Sequence, residues 1–225
     1  MLAKILFLYY FISMRKYGTL LLFICFLIIN IHTSKAETKF TIDEATRSDL
    51  NRIETYLNKL TTLDSRFIQF SREGVVEGRI LLSRPNAMRI EYDPPTPVLM
   101  VAKGSTLMYH DKDLLQTSYL PVSETPIFFL LKEKINLSQE IIITNFEHGP
   151  ASMRITLQKT AAPNIGSVTL TFEDEPLRLA KWQIRDLQGN KIDIALQSSK
   201  FGIAIDKELF SLIDPTPNIT IEGSD

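Results

Sequence analysis

Few residues in this chain of 225 residues could take part in catalysis. His110 follows an alternating apolar run and His148 stands in a turn signal, which predicts two solvated loop histidines. Acids such as Asp174 lie where strands end or turns begin, and no pair of carboxylates stands out for acid–base chemistry. The sequence has no motif of a metalloprotease, a serine hydrolase or a phosphate-binding loop. We therefore expect no enzyme, no metal and no cofactor, with a carboxylate-based hydrolase as the open alternative.

A single arginine stands where the alternation of a strand calls for an apolar residue. In the stretch 78–97, Ile80, Leu82 and Arg84 share one face, because side chains two apart in a strand point the same way. A guanidinium at an apolar rim is unfavourable unless its five donors find acceptors. Two interpretations remain open. Arg84 is either a latch that hydrogen-bonds a lid over an apolar hollow, or a strand-end residue that pairs with an acid such as Glu91 or reaches water.

The first 36 residues are predicted to be a secretory signal peptide. An unbroken apolar run, residues 20–29, follows the basic residues Arg15 and Lys16 and precedes a small residue, Ala36, at the cleavage position. A retained membrane anchor is the alternative, although the run is short for a span. Translation from Met14 fits this pattern more tightly than translation from the first residue.

Residues 37–225 are predicted to form one domain. The chain's only cysteine, Cys25, lies in the predicted signal peptide, so the remaining chain is expected to have no disulfide, no reactive thiol and no lipid. The 25 basic and 26 acidic residues of the full sequence are interspersed, which argues against nucleic acid as a partner.

The periodicity of apolar residues predicts one helix followed by a sheet. Apolar residues at helical spacing predict a helix over residues 49–64, with Ser48 as its N-cap. From residue 68 onward the period is two, interrupted by turn signals, which is typical of an antiparallel sheet of about ten strands with one apolar and one wet face. The run 98–102 is apolar at every position, so parity assigns it to neither face. The block 126–131 predicts a short helix.

Several segments resemble a known family when they are taken in order. An Arg-Pro pair closes an alternating strand, and MRIEYDPP, LMVAKGSTLMYHD, LLQTSYLP and TPIFFLLK follow it. In this order and spacing they are similar to the LolA family of outer-membrane lipoprotein carrier proteins, from residue 49 to about residue 215. The resemblance implies a mainly β (α+β) fold. A single curved antiparallel sheet of about ten to eleven strands forms an unclosed half-barrel, and an N-terminal helix and short lid helices cover its concave apolar face.

The resemblance also implies a function and its partners. It implies a soluble, monomeric periplasmic carrier that shields the acyl chains of lipoproteins. The carrier takes them from a lipoprotein-releasing ABC transporter of the inner membrane to an acceptor at the outer membrane, either a protein or the membrane itself. The alternative is a periplasmic lipid-binding or stress-sensing protein of the same half-barrel fold.

The resemblance assigns Arg84 as the latch and residues 126–131 as the lid. Met88 and Ile90 stand where bulky rings are frequent in the family, so the shape of the cavity is expected to differ. The alternative for each apolar residue taken singly is ordinary core. We expect the acyl-chain cavity to be lined by Ile80, Leu82, Met88, Ile90, Tyr92, Leu107, Tyr109, Leu170 and Trp182, and the lid to contribute Pro126, Phe128, Phe129 and Leu131.

Overall fold

The computed structural model describes residues 42–137, 141–162 and 165–215. The predicted signal peptide and Cys25 lie outside the described residues. Within the described ranges, no helix has the length and apolar character needed to cross a membrane.

The described chain contains an α-helix, eleven β-strands and three short 3-10 helices. Helix α1 is Glu44–Lys59, and the 3-10 helices are η1 (Val122–Glu124), η2 (Phe128–Leu131) and η3 (Lys207–Phe210). The strands are β1 (Thr62–Ser71), β2 (Gly74–Ser83), β3 (Ala87–Tyr92), β4 (Val98–Lys103), β5 (Thr106–Asp111), β6 (Gln116–Pro121), β7 (Ile141–His148), β8 (Ser152–Lys159), β9 (Ser167–Glu173), β10 (Arg178–Arg185) and β11 (Lys191–Phe201).

Helix α1 begins and ends five residues earlier than the sequence predicted. Its N-cap is Asp43 rather than Ser48: the carboxylate accepts a hydrogen bond from the backbone N–H of Thr46 at 2.8 Å, and this bond lowers the pKa of Asp43. At the other end, residues 62–64 belong to β1. The predicted C-terminus was wrong because Leu63 fits both the helical spacing and the alternation of the strand that follows.

The eleven strands form one open antiparallel sheet, which confirms the predicted half-barrel fold. Strands β1–β6 and β7–β11 are two meanders joined by pairing of β1 with β11. The order β6-β5-β4-β3-β2-β1-β11-β10-β9-β8-β7 puts β6 and β7 at opposite edges although they follow each other in sequence. The chain between them, which contains η1 and η2, therefore has to run from one edge of the sheet to the other.

The main core lies between the sheet and α1. Leu50, Ile53 and Leu57 form the buried stripe of α1 and belong to one apolar cluster with η2 and one face of the sheet, which we call the inner face. On this face the rings of Phe67 and Tyr92 meet edge to face with centroids 5.3 Å apart. Gly78 pairs with both residues, and a Cβ there would lie 2.6 Å from the Phe67 ring.

The outer face is not wholly wet, contrary to the sequence prediction. A second apolar cluster on this face covers part of β2–β5, and Phe210 of η3 packs into it with 2% of its surface exposed. Leu99 and Val101 of β4 belong to this cluster, whereas Met100 and Ala102 belong to the main core. The run 98–102 is therefore apolar at every position because the C-terminal segment covers its second face.

Candidate functional site

Arg84 follows the last residue of β2 and joins the C-terminal end of α1 to the two residues that follow the predicted lid, residues 126–131. Because residues 132–137 also contact Arg84 and α1, the name lid is used below for the whole segment 126–137. Its Nη1 donates to the carbonyls of Leu57, in the last turn of α1, and of Leu60, the residue that caps the helix. Its Nε and Nη2 both donate to the Lys132 carbonyl, at 3.2 and 2.6 Å, and Nη2 also donates to the Glu133 carbonyl at 3.4 Å. An arginine satisfies carbonyls at a helix C-terminus well, because they lack partners within the helix and carry partial negative charge.

The surroundings of Arg84 are carbonyl oxygens rather than carboxylates. Burial lowers the pKa of Arg84. Glu91, the candidate acid partner, instead accepts hydrogen bonds from Arg89 and Lys112, each at 2.7 Å. In this structure the guanidinium thus donates its hydrogen bonds to α1 and the lid, the two elements that cover the inner face. Its role as a latch remains a prediction.

The lid is also tied directly to α1. Asn58 of α1 exchanges two hydrogen bonds with the backbone of Ile135, at 2.9 and 2.8 Å. Glu54, one turn earlier in the helix, accepts from the backbone N–H of Leu137 at 3.0 Å. Helix and lid are therefore joined to each other as well as to Arg84, through side chains of α1 and backbone groups of the lid.

The nine predicted cavity residues lie on β2, β3, β5, β9 and β10. Cross-strand pairs confirm the parity argument, since Leu82 faces Met88 and Ile80 faces Ile90. Tyr92 and Tyr109 are partly exposed, and burial raises the pKa of Tyr92 to about 12. The other seven are buried and belong to the main core: Ile80, Leu82, Met88, Ile90, Leu107, Leu170 and Trp182. With the lid in this position the predicted cavity is filled by the protein's own side chains.

The lid presents aromatic rings to the sheet. Phe129 and Leu131 are each 2% exposed, whereas Pro126 and Phe128 are half-buried. The sequence predicted a short helix over 126–131, and the structure has the shorter 3-10 helix η2, Phe128–Leu131, within that range.

A crevice separates the lid from β7–β9, with Phe128 and Phe129 on one side and Leu157 and Val168 on the other. Its free volume of about 10 Å³ holds roughly one water molecule and no acyl chain. Lys159 lies over the Phe128 ring, 4.7 Å from its centroid. Access to the inner face at this place therefore requires the lid to move.

Trp182 carries a polar atom into the apolar inner face. The residue is 3% exposed, and its indole Nε1 has no acceptor among the described residues. Buried donors are nearly always paired with protein groups or with ordered water, so a buried indole N–H without a protein acceptor is unusual for a core residue.

The prediction of a solvated loop histidine was wrong for His110, whereas His148 is exposed as predicted but has partners that the sequence did not reveal. His110 is 3% exposed, and its Nδ1 lies 2.9 Å from the hydroxyl of Thr117 on the neighbouring strand. His148, at the end of β7, contacts Asp49 of α1 and Asp174 after β9. These partners lie 99 and 26 residues away in the chain, so no local sequence signal could have found them. Within the described ranges, no three acidic, histidine or cysteine side chains are grouped to hold a metal ion.

Comparison with solved structures finds similar sheets at low sequence identity. A LolA superfamily protein from Nitrosomonas europaea has a TM-score of 0.43 and 9% identity, covering 72% of this chain and 96% of that one. The MucA/MucB complex of Pseudomonas aeruginosa has a TM-score of 0.40 and 10% identity, covering 73% of this chain and 60% of that one.

Comparison with sequences identifies the family. An outer-membrane lipoprotein carrier protein of Azotobacter vinelandii is 25% identical over 192 residues, which are 81% of this chain and 89% of that protein. The protein RP864 of Rickettsia prowazekii is 24% identical over 121 residues, and the match spans only 57% of its length and 52% of this chain. The family model described as outer membrane lipoprotein carrier protein LolA matches residues 58–213, more than half of the chain. The protein therefore belongs to the LolA family.

Proposed function

We propose that this protein is a periplasmic carrier that shields the acyl chains of lipoproteins on the inner face of its sheet. It receives them from a lipoprotein-releasing transporter of the inner membrane and delivers them to the outer membrane. Family membership supports the class of cargo. The observation that carries the proposal is the set of hydrogen bonds by which Arg84 holds both α1 and the lid over an apolar face.

The energetics of acyl chains explain why a closable cover is needed. Each CH₂ group kept out of water contributes about 0.8 kcal/mol, so several long chains amount to tens of kcal/mol. Such cargo does not cross an aqueous compartment alone. In the closed state the inner face is covered by α1 and the lid, and cargo takes the place of those contacts when the covers move aside. The apolar contacts of the cargo replace apolar contacts that α1 and the lid make in the closed state. The difference in free energy between the two states is therefore small, and both uptake and release are reversible.

Trp182 offers the cargo a polar contact within this apolar surface. The acyl chains of lipoproteins are joined through ester or amide groups, whose carbonyl oxygens accept hydrogen bonds. We infer that the indole Nε1, which lacks an acceptor within the described chain, donates to such a carbonyl. The nonspecific apolar face and this single donor together suit diverse lipoproteins that share the same acyl anchor.

Release of cargo from membranes tests the proposal. Spheroplasts that express an acylated lipoprotein are incubated with and without the purified protein, and the soluble fraction is analysed by size exclusion. The proposal predicts a soluble one-to-one complex with the lipoprotein only when the protein is added. If the protein instead emerges with free lipid and never with lipoprotein, it is a lipid-binding or lipid-sensing relative, and the proposed function is wrong.

A further inference from the structure

Four charged side chains join the middle of α1 to the sheet. Asp49 and Arg52 belong to α1, His148 ends β7, and Asp174 follows β9. Arg52 donates to Asp49 at 3.0 Å and to Asp174 at 2.7 Å. His148 contacts the second oxygen of each carboxylate, with Nδ1 2.7 Å from Asp49 and Nε2 2.9 Å from Asp174. These residues form a closed ring, which we call the α1 clasp.

The contacts of His148 fix its protonation state in this arrangement. An ionised carboxylate only accepts hydrogen bonds, whereas a neutral imidazole has one donor and one acceptor nitrogen. Both ring nitrogens lie within hydrogen-bond distance of carboxylate oxygens, so both have to donate. The geometry therefore corresponds to the imidazolium form, and loss of its proton would set a nitrogen lone pair against a carboxylate oxygen.

The charges of the clasp balance only when His148 is protonated. Two carboxylates then face one guanidinium and one imidazolium. The side chains of Asp49 and Asp174 are 12% and 13% exposed, whereas those of His148 and Arg52 are 39% and 42% exposed, so the ion pairs of the clasp are partly screened by solvent. Hydrogen bonds to Asp174 and then Asp49 raise the pKa of His148, and hydrogen bonds from His148 and Arg52 lower the pKa of Asp174.

The clasp and Arg84 hold different parts of the same helix. Arg84 binds the carbonyls of Leu57 and Leu60 at the C-terminal end of α1. The clasp binds Asp49 and Arg52, in the middle of α1, to the edge of the sheet that contains β7–β9.

We propose that the α1 clasp is a second latch of the cover, closed when His148 carries a proton and released when it loses one. The proposal rests on the proposed function only in treating α1 as a cover of the inner face. The latch holds the middle of α1 through contacts separate from those of Arg84 at its C-terminal end, so the two attachments are released by different triggers.

The pH window follows from the directions of the two shifts. A raised folded-state pKa means that His148 stabilises the clasp fully below its ordinary pKa of about 6.5, and that this stabilisation is lost as pH rises through the folded-state value. Asp174, whose pKa is lowered, stabilises the clasp above its ordinary pKa of about 3.9. The clasp is thus fully closed between about pH 4 and pH 6.5. Three further charged groups lie on the β7–β8 hairpin: Glu147 and Arg154 pair with each other at 3.4 Å, and Lys159 lies over the Phe128 ring. Beside Asp174, Glu173 pairs with Arg178 at 2.6 Å.

Amide hydrogen exchange of α1 tests the latch without any cargo. Exchange of residues 50–57 is followed in the full mature protein between pH 5.5 and 8.5, after correction for intrinsic exchange rates. Wild-type protection is expected to fall across this range, by up to about tenfold for each unit by which the pKa of His148 is raised. His148→Gln, which cannot carry the charge, should give weak protection at every pH. His148→Arg, which always carries it, should give strong protection at every pH.

Two results would overturn the latch. One is wild-type protection of α1 that does not change with pH, and the other is His148→Gln that keeps the wild-type pH profile. His110, the remaining histidine of the described chain, is unchanged in both variants. Any pH dependence of protection that persists in both variants therefore comes from groups other than His148. A protein that shows the predicted exchange profile but releases no lipoprotein from spheroplasts would contradict the proposed function and leave the latch intact.

Discussion

At the scale of single residues, the closed state depends most on Arg84. It reaches four different carbonyls, two in α1 and two in the lid, with one side chain. Hydrogen bonds from a charged donor contribute more than neutral ones, and buried carbonyls left without a donor are unfavourable. A change at this position therefore shifts the balance between covered and uncovered states rather than the fold of the sheet.

Replacing Arg84 by leucine should favour the open state. Loss of these bonds destabilises the closed form by about 2 kcal/mol, which raises the population that can bind cargo by about thirtyfold. The affinity for acyl chains should increase. Transfer to an acceptor membrane should slow, because closing of the empty protein after release is then less favourable. Both are measured by fluorescence with a labelled lipopeptide.

The matched control for this change is Arg79→Leu. Arg79 lies on β2, the strand that Arg84 follows, but points to the outer face, where it pairs with Asp64 at 2.8 Å. Arg79→Leu should leave the affinity for acyl chains and the rate of transfer unchanged. Equal effects of the two substitutions would mean that charge on β2, rather than the contacts of Arg84, controls the cover.

At the scale of elements, α1 is both part of the core and part of the cover. Ile53 and Leu57 have no exposed surface, and Asn58 and Glu54 on the next face hold the lid. Helix and lid thus share contacts, so movement of one disturbs the other.

Ile53→Ala measures how strongly α1 packs on the sheet. Removal of this buried side chain should lower the free energy of unfolding by about 2–5 kcal/mol in urea denaturation. Thr55→Ala, at an exposed position of the same helix, should change it by less than about 0.5 kcal/mol. A loss below about 1 kcal/mol for Ile53→Ala would show that α1 is docked loosely and that the inner face is open most of the time.

Strand parity predicted which residues form much of the inner face. It carries no information about contacts with segments that are distant in the sequence. Leu82 and Met88 were correctly predicted to line the same face, and the hairpin register places them opposite each other. The faces of β4 were not predictable, because Phe210 covers the second face from more than 100 residues away. The partners of His148 were missed for the same reason, since they belong to other elements.

At the scale of the whole molecule, the sheet separates two apolar clusters with different roles. The main core on the inner face includes the predicted cavity, whereas the cluster around Phe210 on the outer face attaches the C-terminal segment. Because β6 and β7 are the two edges, the chain that joins them carries the lid from one edge to the other.

Phe210→Ala tests this division. It should lower the free energy of unfolding by about 3–5 kcal/mol while leaving the affinity for acyl chains unchanged, since it touches only the outer face. Unfolding is measured in urea and affinity with a fluorescent lipopeptide. Loss of acyl affinity in a folded Phe210→Ala protein would contradict the assignment of the two faces.

Fluorescence of Trp182 tests the central claim, that acyl chains bind on the inner face, most directly. Trp182 is the only tryptophan of the chain and is buried on that face. A lipopeptide with bromine atoms along its acyl chains quenches an indole only on close contact. We expect saturable quenching at one lipopeptide per protein, stronger than with the unbrominated lipopeptide. Binding of the brominated lipopeptide with no change in Trp182 emission would place the chains elsewhere and contradict the account.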